Sequence, residues 1–249
     1  MTAAVAVVAI LVAITIPAVK SVMKSASNEG SVRSLIGAAL STAQAIAAKE
    51  HRYAGVRFQK GYDKNQPDNR EKWSQYMIFI VHDNDNLSAQ GFRSVEGYEP
   101  IKLPEGFQVL DCDPNNFSSI TTVTGDDGLN DKSTFSIVFS PSGKLAVKEV
   151  RTRNRDGVVD PPDTNASSDD IFNSDNNIEN ESVGRFYQDD YGSDGFAQED
   201  SVKSFKIYEM ERFLQLWKVP NDLEDYLTDE ISAVYINPFT GGIINQKQN

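Results

Sequence analysis

Clusters of acidic residues are the first candidates for chemistry in this sequence. Aspartates are concentrated in residues 83–85 (DND), 126–131 (DDGLND) and 189–190 (DD). Their carboxylate oxygens could bind Ca²⁺. None of the three fits the twelve-residue calcium loop with its closing glutamate, so solvated turn residues are the favoured interpretation. We therefore expect no cofactor, with Ca²⁺ as the alternative.

Catalytic residue types are present without a catalytic pattern. The two histidines are His51 and His82, and the one cysteine is Cys112. No G-x-S-x-G motif, paired metal-ligand spacing or phosphate-binding glycine loop accompanies them. Asp111 and Asp113 flank the cysteine and disfavour its thiolate. We expect structural roles for these side chains and no enzymatic activity.

Alternating arginines form the one local sequence pattern that could indicate nucleic-acid binding. Arg151, Arg153 and Arg155 share one side of a short extended segment. Residues 61–249 carry a net charge of -17, too negative for a phosphate-binding surface. We interpret the arginines as charges that protect an edge strand, and a nucleic-acid partner is not expected.

Charge divides the chain into two unlike parts. The 249 residues have a net charge of -12 and one cysteine, which excludes an intramolecular disulfide framework. Residues 1–60 contain seven Lys or Arg and two Glu, a net charge of +5. A cationic N-terminal part thus precedes a strongly acidic body, as expected for two regions with different surroundings.

The first nineteen residues contain no charge. Residues 1–19 read MTAAVAVVAILVAITIPAV. A helix of that length is about 28 Å long, close to the hydrocarbon thickness of a bilayer. We predict a transmembrane helix; the alternatives are a buried core helix and a secretory signal segment. Cations occur only after this run, so the body lies in the cytoplasm unless a basic leader precedes the sequence.

An amphipathic pattern follows in residues 20–52. Apolar residues recur mostly at three- and four-residue intervals in an Ala-rich sequence of high helix propensity. We predict one long helix from the apolar run to about His51, kinked at Pro17 and loosened at Gly30. Its first half would lie in lipid, and its second half would be covered on one face by the body.

Residues 53–249 have the pattern of a β-rich domain. Short β-prone runs are bounded by turn residues, and a Ser-Pro-Ser-Gly sequence at 140–143 predicts a tight hairpin. The predicted strands are 53–59, 75–82, 107–110, 134–140, 144–150, 202–209 and 233–237, followed by a final strand. Residues 209–217 and 222–227 are predicted short helices. Residues 154–201, rich in Asp, Asn, Ser and Gly, are a predicted surface insertion.

Three segments carry a resemblance to a known family. Residues 4–19 (AVAVVAILVAITIPAV) resemble the N-terminal region of type IV pilins and type II secretion pseudopilins, whose apolar run ends in an Ile-Pro pair. Residues 34–59 (SLIGAALSTAQAIAAKEHRYAGVRFQ) and 135–150 (FSIVFSPSGKLAVKEV) are similar to the helix-to-strand transition and a hairpin of the H-type minor pseudopilins.

The resemblance implies an α+β fold, in which a long N-terminal helical spine packs on an antiparallel β-sheet head. It implies a pseudopilin, a structural subunit of a type II secretion pseudopilus, anchored once in the inner membrane with its head in the periplasm. The expected membrane-anchor and helix–helix assembly residues are Val5, Val8, Ile10, Val12, Ile16 and Pro17.

The resemblance also implies partners. These are other pseudopilins, bound through the N-terminal helix, and the inner-membrane assembly platform. The family's glutamate and prepilin peptidase site would fall before Met1, so the peptidase is a partner if the true start lies upstream. The alternatives are a minor type IV pilin for adhesion or DNA uptake and, least favoured, a membrane-tethered periplasmic enzyme.

Overall fold

A computed structural model gives the architecture of the chain. It describes residues 29–61, 65–66, 69–83, 91–95, 97–112, 129, 132–150, 199–217 and 219–244. Within them the fold is α+β, with antiparallel sheets and a few helices, as the sequence predicted. The expected transmembrane segment, residues 1–19, lies outside the described residues.

Helix α1, Glu29–Glu50, is the longest described helix. Its Ala-rich sequence favours helix, and a stripe of larger apolar residues along one side packs against the sheets. The helix ends where His51 adopts a left-handed backbone with φ of 52°. The predicted end near His51 is confirmed, and Gly30 lies within the helix.

In the described part of the chain, twelve short strands follow α1. They are β1 (Ala54–Lys60), β2 (Gln75–Asp83), β3 (Gly91–Ser94), β4 (Ile101–Lys102), β5 (Phe107–Asp111), β6 (Phe135–Phe139), β7 (Leu145–Ala146), β8 (Glu149–Val150), β9 (Glu199–Asp200), β10 (Ser204–Glu209), β11 (Ala233–Ile236) and β12 (Ile243–Ile244). A 3₁₀ turn at Arg70–Lys72 precedes β2. The strands form two larger sheets and one pair, all antiparallel.

The first sheet has the order β3-β2-β1-β6-β7, with β4 also paired to β2. In the centre, β1 pairs along its whole length with β2, from Ala54 opposite Val81 to Lys60 opposite Gln75. The second sheet has the order β12-β11-β10-β5, and β8 pairs with β9 separately. The predicted hairpin at 140–143 is confirmed, because β6 and β7 are joined through Ser140–Gly143.

One apolar core joins α1 to both sheets. The rings of Phe58 in β1 and Phe135 in β6 stack with centroids 4.7 Å apart, and Phe205 of β10 lies 6.1 Å from Phe58. These rings belong to the same buried cluster as the inner side of α1. A second cluster, built on Ile78, Ile80 and Val138, covers the opposite face of the first sheet. The central strands β1 and β6 are therefore buried on both faces.

One predicted strand differs from the structure. The predicted strand 144–150 divides into β7, in the first sheet, and β8, which pairs with β9. The insertion predicted at about 154–201 lies outside the described residues except at its far end, where Glu199–Asp200 forms β9 and Ser201 is buried. A backbone pairing with residues fifty positions away has no signal in a local sequence pattern.

Short helices lie between β10 and β11. Helix α2, Met210–Leu216, and helix α3, Pro220–Asp225, confirm the two predicted helices, and Pro220 occupies the first turn of α3. A π-helical turn, Tyr226–Glu230, continues α3. Together with β5 and β10 they bury an apolar cluster built on Tyr208, Phe213 and Leu223.

Candidate functional site

The predicted anchor and assembly residues do not fall in the described part of the chain. Val5, Val8, Ile10, Val12, Ile16 and Pro17 all precede residue 29. Helix α1 is the part of the predicted spine that the structure describes. Its two long faces, its two ends and the groups that hold it to the sheets therefore define the candidate site.

The inner face of α1 is apolar and buried. Its largest members, Val32, Leu35, Ile36, Leu40 and Ile46, have between 0% and 4% of their surface exposed. They pack on β1, β2, β6 and the second sheet in a single core. This contact holds the helix to the β domain at every turn, because the side chains recur at three- and four-residue intervals.

The outer face of α1 consists of small residues. The exposed positions here are Ser34, Ala38, Ser41, Ala45 and Ala48. Their spacing of four, three, four and three residues places them on one stripe. Ser34 and Ser41 donate their hydroxyl hydrogens to the carbonyl oxygens of Gly30 and Gly37 in the helix itself. Such a face lets a second helix approach closely, since no long side chain stands in between.

One polar side chain of α1 forms hydrogen bonds to two turns that connect strands. Gln44 donates from Nε2 to the carbonyl oxygens of Gly143, at 2.8 Å, and Thr240, at 2.9 Å. Gly241 adopts φ of 67° beside that amide, where a Cβ atom would overlap the Gln44 side chain. The turn after β11 presents Phe239 with 75% of its surface exposed.

A groove opens at the beginning of α1. Its volume is about 610 Å³. Phe107, Ile207 and Ile231 line its apolar part, Tyr226 and Ser232 contribute hydroxyl groups, and five charged residues complete the lining. These are Glu29, Arg33, Glu209, Arg212 and Glu230. We refer to it as the Glu29 groove.

The charges of the Glu29 groove do not balance. Arg33 pairs with Glu29 across one turn of α1. Glu209 and Glu230 then remain with Arg212, whose guanidinium carbon lies 6.0 Å from the centre of the Tyr226 ring. The groove therefore carries one more carboxylate than guanidinium groups.

Tyr226 connects the Glu29 groove to the strands. Its hydroxyl oxygen accepts the backbone N–H of Glu209 at 3.1 Å. Burial raises the pKa of Tyr226 above its ordinary value. The carboxylates of Glu209 and Glu230 act in the same direction, whereas the hydrogen bond from the Glu209 backbone and the Arg212 charge oppose it. The Tyr226 hydroxyl is thus neutral at physiological pH, and the side chain forms part of the groove lining.

The other end of α1 carries a cationic surface. Lys49 and Arg52 flank the helix end, and the Lys148 amine lies 4.3 Å from the centre of the Tyr53 ring. The Glu50 carboxylate lies 3.1 Å from the Lys49 amine. We refer to these residues as the basic corner.

A buried polar cluster joins β1, β2, β5 and β10. The Lys60 amine donates to Gln108 Oε1 at 2.6 Å, and the same oxygen accepts the Tyr208 hydroxyl at 2.7 Å. Gln75 Nε2 donates to the carbonyl oxygens of Val109 and Ser133 at 3.0 and 2.7 Å. Lys60, Gln75, Gln108 and Tyr208 each have at most 4% of their surface exposed.

Burial shifts the pKa values of Tyr208, in this cluster, and of Lys206, near it. Burial raises the pKa of Tyr208, and the neighbouring Tyr226 adds to the shift. Two residues before Tyr208 in β10, Lys206 donates to the carbonyl oxygens of Leu227 and Thr228, the second at 3.1 Å. Burial lowers the pKa of Lys206, against the opposing effects of Cys112 and Asp229. These contacts hold the π-helical turn on the sheet.

The residues that the sequence singled out for chemistry are dispersed or lie outside the described residues. His51 is exposed at the end of α1, His82 is half-buried in β2, and Cys112 is buried after β5. The side chains of the three acidic clusters lie outside the described residues, as do Arg151, Arg153 and Arg155. In the described part of the chain, no group of three His, Cys, Asp or Glu residues could hold a metal ion.

Sequence reasoning missed the buried polar cluster and the Glu29 groove. A signal existed for Lys60, because Ala54, Val56, Phe58 and Lys60 alternate on one side of β1 and the first three are apolar. Gln75 continues the buried side of β2 in the same way. The groove had no such signal, since its walls come from four separate segments.

Comparisons with protein families, curated proteins and solved structures found no match. Among the described residues, no helix is both long enough and apolar enough to cross a membrane. The helix that the sequence predicts to do so precedes Glu29.

Proposed function

We propose that this chain is a pseudopilin, a structural subunit of a type II secretion pseudopilus. Residues 1–19 anchor it once in the inner membrane, and the β domain is its periplasmic head. The observation that supports the proposal best is the pair of opposite faces on α1. One face is buried on the head, and the other is an exposed stripe of small residues.

A filament subunit of this kind needs such a helix. Its spine must hold the head and must also pack against the spines of neighbouring copies. The larger apolar residues of α1 perform the first task. The stripe of Ser34, Ala38, Ser41, Ala45 and Ala48 suits the second, because small residues let helix backbones approach closely.

The apolar run explains how the subunit is stored before assembly. Residues 1–19 are long enough to span the hydrocarbon layer. Val5, Val8, Val12 and Ile16 recur at three- and four-residue spacing, so they share one side of a helix. During assembly this side exchanges contact with lipid for contact with other spines. Packing and small-residue contacts then favour association.

The test replaces one anchor residue in the full chain expressed from its own locus. Val12→Arg places a charge near the middle of the span, which costs about 3 kcal/mol of insertion free energy. Val12→Leu is the matched control, since it keeps the site apolar. We expect the wild type and Val12→Leu to fractionate with the inner membrane and to appear in sheared filaments. Val12→Arg is expected to be lost from both.

Head location is measured in the same strains. A maleimide that does not cross the inner membrane should label Ser142→Cys, an exposed turn position, in cells with a permeable outer membrane. Equal membrane and filament recovery for Val12→Arg and Val12→Leu would reject the anchor. Labelling of Ser142→Cys only after lysis would place the head in the cytoplasm and reject the pseudopilin.

A further inference from the structure

The Glu29 groove has walls of two kinds. Phe107 and Ile231 are half-buried and line it, so part of their apolar surface is open to a ligand. The charged residues among its described lining are three glutamates and two arginines, which leaves one carboxylate in excess. Walls of this composition suit a ligand that has an aliphatic body and a positive charge.

Two of the carboxylates lie near one hydroxyl group. The Tyr226 hydroxyl oxygen accepts the backbone N–H of Glu209 at 3.1 Å. Burial raises the pKa of Tyr226, and the charges of Glu209 and Glu230 add to that shift, as expected for carboxylates close to the hydroxyl. Both glutamates are exposed, so a ligand can reach their oxygens from solvent. The groove thus concentrates carboxylate oxygens around Tyr226.

We propose that the Glu29 groove binds a primary ammonium group carried on an aliphatic chain. Glu209 and Glu230 accept the N–H donors of the ammonium group, and the chain lies along Phe107 and Ile231. The ligand is a free alkylamine or a lysine side chain of another protein, since both present this chemistry. The site is independent of the pseudopilin proposal, because all of these residues belong to the described β domain.

The arrangement of the charges favours an ammonium group over other ligands. Arg33 pairs with Glu29, and the Arg212 guanidinium carbon lies 6.0 Å from the centre of the Tyr226 ring. An anion would meet the excess carboxylate and is disfavoured. A guanidinium group matches one carboxylate in its own plane, whereas an ammonium group is a compact charge whose donors can reach two separate carboxylates.

Two probes of equal length test the role of charge. The full chain in detergent, with labelled isoleucine methyl groups, is titrated with n-pentylamine and with n-pentanol, which keeps the aliphatic chain and lacks the charge. We expect n-pentylamine to shift the NMR signal of Ile231 with a dissociation constant of about 1 mM. The methyl signal of Ile137, in the core, should stay in place. Binding of n-pentanol should be weaker by about ten-fold or more.

Amide substitutions test the two carboxylates. Glu209→Gln combined with Glu230→Gln removes both charges and keeps the size of the side chains, and should weaken n-pentylamine binding by about ten-fold or more. Glu211→Gln is the matched control, because Glu211 is exposed but does not line the groove. It should leave the affinity unchanged. Since all three glutamates are exposed, the variants should keep the unfolding midpoint of the unaltered chain.

A blocked lysine, N-acetyl-lysine N-methylamide, distinguishes the two sources of the ligand. Binding tighter than that of n-pentylamine supports a lysine of another protein, and weaker binding supports a free amine. Equal affinity for n-pentylamine and n-pentanol would overturn the site. So would a loss of affinity in Glu211→Gln equal to that in the double variant, because general attraction to an acidic surface would then explain the binding. Either failure leaves the pseudopilin proposal standing, since filaments play no part in these titrations.

Discussion

The two faces of α1 are composed of different residues for different tasks. The inner face carries Val, Leu and Ile side chains that are almost fully buried. The outer face carries Ala and Ser side chains that are exposed. A helix needed only to cover a sheet would have a polar, charged outer face. The small outer residues suit the second packing partner that we propose, and changes on the two faces should affect different measurements.

The largest effect is expected from the inner face. Leu40→Ala removes a side chain with 0% exposure from the shared core and should lower the free energy of unfolding by about 3 kcal/mol. Ser41→Ala, the next residue and on the outer face, is the control and should stay within about 0.5 kcal/mol. Denaturant unfolding of the full chain in detergent measures both. Equal losses would show that the two faces do not differ.

The buried polar cluster is a third environment, because its side chains are buried like those of the inner face but are joined by hydrogen bonds. Gln108→Leu removes the oxygen that accepts from both Lys60 and Tyr208. We expect a loss of about 2–3 kcal/mol, since buried donors lose their acceptor. The matched control, Gln215→Leu, changes an exposed glutamine on α2. A loss of unfolding free energy no greater than that of Gln215→Leu would mean that the cluster does not contribute to stability.

A pH dependence should follow from Tyr208. Its folded pKa is raised above the ordinary value of 10.0 by burial, so the unfolded chain loses the proton first as pH rises. The stabilising contribution is complete below pH 10 and is lost as pH increases above it. Tyr208→Phe should cost about 1 kcal/mol at neutral pH and make the alkaline decline shallower. Parallel alkaline profiles for the wild type and Tyr208→Phe would contradict this assignment.

The smallest effect on stability is expected on the outer face. Ala38→Leu enlarges an exposed position and should change the free energy of unfolding by less than about 0.5 kcal/mol. It should nevertheless lower the filament yield, because a bulky side chain separates neighbouring helices. The adjacent Ala39 is the matched site, with 2% exposure. Ala39→Leu should cost about 1–3 kcal/mol by overpacking. If Ala38→Leu cost more stability than Ala39→Leu, the assignment of the inner and outer faces would be wrong.

Much of the described fold was predictable because it depends on local periodicity. The three- and four-residue repeat predicted α1 and its end near His51, and the SPSG turn predicted the hairpin between β6 and β7. The division of residues 144–150 into two strands was not predictable. It depends on the pairing of Glu149 and Val150 with Glu199 and Asp200, which no local pattern specifies.

The candidate site was predictable only in part. The small residues of the outer face are visible in the sequence, but their exposure follows from which stripe the sheets cover. The Glu29 groove brings together α1, β5, β10 and the π-helical turn. Its charges come from residues 29–33, 209–212 and 230, and nothing in the spacing along the chain indicates that they meet.

The most direct test of the central claim is the protection of the outer face in assembled filaments. Ala38→Cys and Ala39→Cys are labelled with an impermeant maleimide in cells that assemble pseudopili and in cells that lack the assembly ATPase. The account predicts that Ala38→Cys is labelled when subunits are unassembled and protected at least five-fold in filaments, while Ala39→Cys is protected in both. Equal labelling of Ala38→Cys in the two cell types would contradict it.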